Sequence, residues 1–258
     1  MKIKWLILVA IVAALVSALL MVPATTIEGR INQRLQDTGT FHVIDGTIWS
    51  GQARFKLKQG RAERLDTLVS WSFAPATLLT ARLGFDVTLA GTDVNGKARF
   101  ALGVTNVKIS ATELVTTLDV VNRFSPYLLL LRTQGELRLL AGETPLTVQY
   151  AAPYEASGTL NATASKLKIR TLGNDAIGSY AAAFTFDKKN IIYKIDDSNG
   201  QLKLDGGGNI ALANPREFRY TGSAKISPTT PPWLAGSVMG IGRPALDGRI
   251  QIDYKFNF

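Results

Sequence analysis

Side chains able to do covalent or metal chemistry are few and far apart in this chain. One histidine, His42, stands in "TFHVIDG" with no second imidazole anywhere in the 258 residues, and a single ligand is too few for a zinc centre. The alternation around it reads as a strand leading into a turn. Cysteine is absent, which removes disulfides, thiolate metal sites and cysteine nucleophiles together. Asp196-Asp197 in "KIDDSNG" offers two adjacent carboxylates to a cation, but Asp, Ser, Asn and Gly are also the residues of a hairpin turn, and the turn is the preferred reading.

The glycine-rich stretches do no better. "DGGGN" (205–209) lacks the lysine and the helix start that a phosphate loop needs. "GIGRP" (240–244) stops short of the third glycine of a dinucleotide fingerprint. No G-x-S-x-G nucleophile elbow occurs, and the carboxylates are scattered, so a pair of opposed catalytic acids is unsupported. The expectation is a protein that is not an enzyme, with no catalytic, cofactor-binding or metal-binding residue assigned.

The formal charge is +9, from 29 Lys+Arg against 20 Asp+Glu, a balance that suits nucleic acid, anionic lipid or an acidic partner. Nucleic acid is disfavoured because no run of basic residues forms a patch. The positive charges alternate with apolar residues, as in "RFKLK" and "KLKIR", which is how the solvent face of a strand reads.

Two kinds of element emerge from the patterning. Trp5 to Val22, "WLILVAIVAALVSALLMV", is an uncharged run as long as a bilayer core requires of a helix, preceded by Lys2 and Lys4. A cleaved signal peptide is the competing reading, but the only small-x-small site, Val22-Pro23-Ala24, has proline beside the bond, so an uncleaved single-span anchor over 1–24 is preferred. The lysines keep the N-terminus cytoplasmic and send the rest across the membrane, in a bacterium into the periplasm. "YLLLLR" (127–132) is too short for a second span. "TIEGRINQRLQDTG" then spaces Ile27, Ile31 and Leu35 four apart with Gly39 as a stop, a short juxtamembrane helix within 25–40.

From 41 to 258 the chain repeats a glycine followed by polar and apolar residues in alternation. Copies start at Gly51, Gly96, Gly135, Gly158, Gly200, Gly222 and Gly248, with a degenerate copy at Gly178; the gaps of 45, 39, 23, 42, 22 and 26 residues approximate one or two units of about 22. A unit of that length holds two strands and two turns, so each glycine is expected to open a hairpin arm.

Period-2 alternation puts Ala53, Phe55 and Leu57 on one face and Arg54, Lys56 and Lys58 on the other. The predicted fold is mainly β: a twisted, mostly antiparallel meander with one apolar face, covered by a second sheet, by curling or by a ligand such as lipid. "PATLLTARL" (75–83) and "PPWLAGSVMGIG" (231–242) read as short helices capping that sheet. Trp49 between Gly46 and Gly51 reads as a core residue at the end of a short strand beside Trp71. The aromatic C-terminal strand "GRIQIDYKFNF" is similar to the closing strand of an outer-membrane barrel, but the short, Ala- and Thr-rich repeats argue against a barrel.

From end to end the order resembles the N component of the type II secretion system, the general secretion pathway protein N family. The resemblance rests on the anchor, on "GTIWSG" (46–51), on Trp71, Pro75, Leu78, Leu79 and Leu83 within "VSWSFAPATLLTARLGFDVTLAG" (69–91), and on the tail "PPWLAGSVMGIGRPALDGRIQIDY" (231–254). Gly46, Trp49, Gly51, Trp71, Pro75 and Gly248 are the signature positions, structural in kind. The resemblance implies an accessory inner-membrane component that helps move folded proteins from the periplasm across the outer membrane, with other secretion components as partners and no cofactor. Repeated strands behind an anchor also resemble the AsmA-like periplasmic proteins, which implies the alternative of a lipid-shielding groove, lined by residues such as Phe55, Phe100 and Leu137.

Overall fold

The computed structural model describes residues 17–18, 20–59, 62–124, 132–150, 154–169, 176–196, 200–213 and 217–257. The predicted membrane span lies almost wholly outside them, as do most of "YLLLLR" and part of "KIDDSNG". Among the described residues no helix is long and apolar enough to cross a membrane.

Alternation becomes one antiparallel sheet of 15 strands. These are β1 Gly39–Gly46, β2 Ser50–Gln59, β3 Ala62–Phe73, β4 Leu83–Gly91, β5 Val94–Leu102, β6 Asn106–Thr117, β7 Thr133–Ala141, β8 Leu146–Gln149, β9 Ala156–Ile169, β10 Ala176–Lys188, β11 Asn190–Asp196, β12 Leu202–Ala211, β13 Glu217–Ile226, β14 Arg243–Pro244 and β15 Ile250–Asn257. Neighbours in sequence are neighbours in space throughout, except that β8 is inserted against β6 and β9, and that β15 lies between β13 and β14. Among the described residues the path is open, with β1 and β14 at its two ends, so the strands form a meander that does not close on itself.

Register keeps the two faces apart. Starting at Val43, directly opposed residues run Ala53, Val69, Leu89, Gly96, Leu114, Leu139, Ala162, Ala182, Ile195, Gly206, Gly222 and Ile252, one from each of 13 strands, with no polar side chain among them. Opposed residues in an antiparallel pair share a face, so this row is a continuous apolar stripe across the molecule. The other face is laced by cross-strand ion pairs: Arg99 with Asp86 at 2.6 Å, Arg138 with Glu113 at 2.6 Å and Arg219 with Asp253 at 2.7 Å. Exposed pairs of this kind add little stability, being screened by solvent; their larger effect is to hold register, because a slip of one residue would put these charges on the apolar face.

Among the described residues three α-helices, α1 Thr25–Leu35, α2 Leu118–Phe124 and α3 Pro232–Ile241, lie against the sheet or its ends, and two 3-10 helices, Gln36–Thr38 and Pro75–Thr80, stand in its connections. α1 places Glu28 in its first turn and Arg34 in its last, the arrangement that suits the helix dipole. α2 buries Leu118, Val120 and Asn122 and touches β3, β6 and β7, so it closes one end of the face between those strands. α3 inserts Val238 among Tyr193, Leu202, Tyr220, Ala224, Ile250 and Ile252, forming the main core over β11 to β15. Burying an aliphatic side chain of this size contributes about 1.5–3 kcal/mol. A smaller core joins Ala24, Val43 and Ala53 to Phe41 and Trp71.

Two expectations are corrected. The helix read over 75–83 is a 3-10 helix that stops at Thr80, with Ala81 at φ 53°. It does not cap the sheet, for Leu78, Leu79 and Leu83 are exposed by 51%, 91% and 43%; six residues of 3-10 geometry are too few to carry a buried stripe. Secondly, the glycines at 51, 96, 135, 158, 200 and 248 fall within the first three residues of a strand or just before one, but Gly222 sits in the middle of β13. It is there for space. A Cβ at Gly222 would stand 2.6 Å from the Cα of Gly206 and 2.8 Å from the hydroxyl of Tyr220.

Candidate functional site: an apolar trough and an open sheet edge

Local sequence decides how the stripe is filled. In the C-terminal half the stripe is mostly Ala and Gly, broken by Ile195 and Ile252, and tyrosines lie over the glycines of β12: a Cβ at Gly208 would stand 2.5 Å from the Tyr193 hydroxyl, and one at Gly206 would stand 2.8 Å from that of Tyr220. "DGGGN" is therefore a floor for two aromatic rings. Tyr193 donates its hydroxyl hydrogen to the Arg219 carbonyl at 2.7 Å, and burial, with the Tyr220 phenol beside it, pushes its pKa up to about 12.

In the N-terminal half the stripe is mostly Val and Leu, with Ala53 and Gly96 among them, and among the described residues no helix lies along it between β3 and β9. There the face forms a trough in two parts. One cavity of about 320 Å³ is lined by Val87, Leu89, Phe100, Leu114, Leu139 and Leu160 among others. A second, of about 520 Å³, shares Val87 and Phe100 with it and runs towards Ile27 and Ile48. Volumes in this range match sites for small apolar ligands. Of the three residues expected to line a groove, Phe100 lies in both cavities; Phe55 and Leu137 share the face by register but lie outside both linings.

The two edges of the sheet are unlike. β1 has its outward backbone groups occupied by side chains of α1: the Phe41 amide donates to Asn32 Oδ1 at 2.7 Å, Asn32 Nδ2 donates to the Phe41 carbonyl at 2.9 Å, and the Val43 amide donates to Glu28 Oε2 at 3.1 Å. The bond from Val43, with the His42 imidazole second, holds the Glu28 carboxyl below the usual carboxylate range. His42 Nδ1 lies 3.1 Å from Glu28 Oε1, so the one histidine helps fix the helix that seals the edge. At the other edge β14 reaches only Ile250 and Gln251. Beyond them β15 is paired on its β13 side alone among the described residues. Nothing in the composition of α1 distinguishes Asn32 and Glu28 from solvent-facing residues, which is why the sealed edge escaped the sequence reading.

Five of the six signature positions gather at one end of β1 to β4. Gly46 ends β1 at φ +99°, where a Cβ would come within 2.4 Å of Gly51 Cα. Trp49 packs edge-on against Phe73 at a centroid distance of 5.1 Å. Gly51 opposes Trp71 across β2 and β3, Trp71 stacks at a tilt on Phe41 at 6.2 Å, and Pro75 opens the 3-10 helix. Gly248 stands apart in the turn before β15, at φ +75° with open space around it. Among the described residues no group of three or more His, Asp or Glu is placed to hold a metal ion.

These positions fall within the span on which the chain meets known proteins. The family model of type II secretion system protein N matches residues 40–253, from the start of β1 into β15. Comparison with curated proteins and with solved structures finds no match to either. The chain belongs to the type II secretion system protein N family.

Proposed function

We propose that the protein is an accessory component of the type II secretion system, anchored in the bacterial inner membrane by the apolar sequence 5–22 with its N-terminus cytoplasmic and its sheet in the periplasm. It acts there as an adaptor and not as an enzyme. The observation that carries this reading is the asymmetry of the edges. With β1 sealed by Asn32 and Glu28, β15 is left to accept a strand from another secretion component by main-chain pairing, which needs no special side chains and explains a surface without a catalytic constellation.

The test is photo-crosslinking in cells from Tyr254 and Lys255 on β15, with Phe41 on the sealed edge as the reference position. Capture of secretion components from β15 and not from position 41 is the expected result. No capture from β15, together with undiminished exoprotein secretion in the deletion strain, overturns the reading.

A second reading, shielding of acyl chains as in AsmA-like proteins, is favoured by one observation, the apolar trough between β3 and β9. Crosslinkers at Leu139 and Phe100 distinguish it, since phospholipid recovered there without any protein adduct at β15 would replace the adaptor by a lipid-handling role.

A further inference from the structure

One rim of the sheet is fastened to the end of the apolar sequence 5–22. The Ile48 amide donates to the Val22 carbonyl at 3.0 Å and the Ala24 amide to the Gly46 carbonyl at 3.1 Å, so the chain enters the fold at the β1–β2 turn. From there the loops on this side touch in series. The Phe73 amide donates to the Trp49 carbonyl at 2.7 Å, which brings in the connection from β3 to β4; Arg82 from that connection reaches the Ala101 carbonyl at 3.5 Å, and the Tyr150 amide donates to the Thr105 carbonyl at 3.2 Å.

This rim concentrates exposed apolar side chains: Leu20 (55%), Met21 (75%), Leu79 (91%), Val104 (92%), Tyr150 (51%) and Tyr154 (70%). On the opposite side the turn between β4 and β5 is Thr92-Asp93 and α2 buries Leu118, Val120 and Asn122, while the exposed apolar residues Met239, Ile241 and Leu246 lie on α3 and the turns that follow it. Large apolar residues that are almost fully exposed on several adjoining loops mark a surface meant to be covered.

We propose that this rim is seated in the headgroup region of the membrane crossed by residues 5–22, with Leu79 and Val104 inserted among the upper acyl carbons and Tyr150 and Tyr154 at the level where tyrosine concentrates in membrane proteins. The occupant is a bilayer because of covalent continuity: Val22, the last residue of the apolar sequence, is hydrogen-bonded to Ile48 on this rim. The mouth of the trough at Ile27, Ile48 and Leu102 then faces lipid as well. The inference deepens the proposed anchoring and rests on it for its orientation.

The chain has no cysteine, so single cysteines can carry an environment-sensitive fluorophore in the full-length protein reconstituted in phosphatidylcholine vesicles containing a lipid-borne nitroxide quencher. Leu79→Cys, Val104→Cys and Tyr154→Cys report on the rim, and Ala13→Cys on the anchor. Leu246→Cys is the control, equally apolar and fully exposed but in the turn before β15. The expected result is roughly twofold or greater quenching at 79, 104 and 154 relative to 246, as for side chains lying within the interface. Quenching at 13 with none at the rim above the level of 246 overturns the proposal and leaves the anchor standing. Quenching at the rim without quenching at 13 supports the rim and overturns the anchor.

Discussion

Trp71 lies across Gly51. The two are directly opposed on β3 and β2, and a Cβ at Gly51 would stand 2.7 Å from Cζ2 of the indole. The indole Nε1 in turn donates to the Thr47 carbonyl at 3.2 Å, inside the turn that holds Trp49. Gly51→Ala is expected to destabilise by about 1–3 kcal/mol through overpacking, and Trp71→Phe by about 1 kcal/mol through the lost bond. Since the smaller ring relieves the contact, the double variant should lose less than the sum of the two, a difference that chemical denaturation of the four proteins measures.

Removing the seal on β1 should expose a sticky edge. Asn32→Ala strips both Phe41 backbone groups of their partner, with an expected cost of about 2 kcal/mol and a shift from monomer towards edge-paired oligomers. Sedimentation velocity at increasing concentration reads the second effect; an unchanged monomer would argue that α1 only decorates the edge.

Acid should loosen the same element. Glu28 has its carboxyl pKa lowered chiefly by the Val43 amide and then by His42, and Asp253 is lowered chiefly by Arg219. A carboxylate with a depressed folded pKa stabilises above its unfolded value, here 4.5 for Glu28 and 3.8 for Asp253, and that contribution is lost as pH falls through the folded values. The protection of the Val43 amide, measured against its intrinsic exchange rate, should therefore fall as pH drops below 4.5, and Glu28→Gln should show the lower protection already at neutral pH.

At the alkaline end the sign reverses. Tyr193 is raised from 10.0 to about 12, so its contribution is complete below pH 10 and is lost as pH rises towards 12. Tyr193→Phe keeps the ring over Gly208 but gives up the bond to Arg219. It should be less stable than the parent at pH 8 and converge with it above pH 11, the comparison being made by thermal melting across that range.

Alternation and glycine spacing made the meander, its two faces and the short helices at 25–35 and 232–241 legible, because each is a local rule written in period 2 or period 3.6. The trough was legible only in part. Phe55, Phe100 and Leu137 obey the same alternation, yet only Phe100 lines a cavity, since which part of an apolar face stays uncovered depends on where α2 and α3 land. Gly222 misled for a related reason: glycine spacing in sequence marks strand starts, while the seat for Tyr220 needs a partner strand, β12, before it means anything. The seal at Asn32 required knowing which strand was at the edge.

Strand order has a consequence for how the protein comes into being. Because nearly every strand pairs with the one made just before it, the sheet can grow by accretion, each hairpin zipping onto the last as the chain is made, with short loops to close and little long-range search. Growth has a direction. Asn32 and Glu28 of α1 occupy the outward backbone groups of β1, so among the described residues it is the edge at β15 that is left to add a strand. Docking a partner strand there would be one more step of the polymerisation that built the sheet.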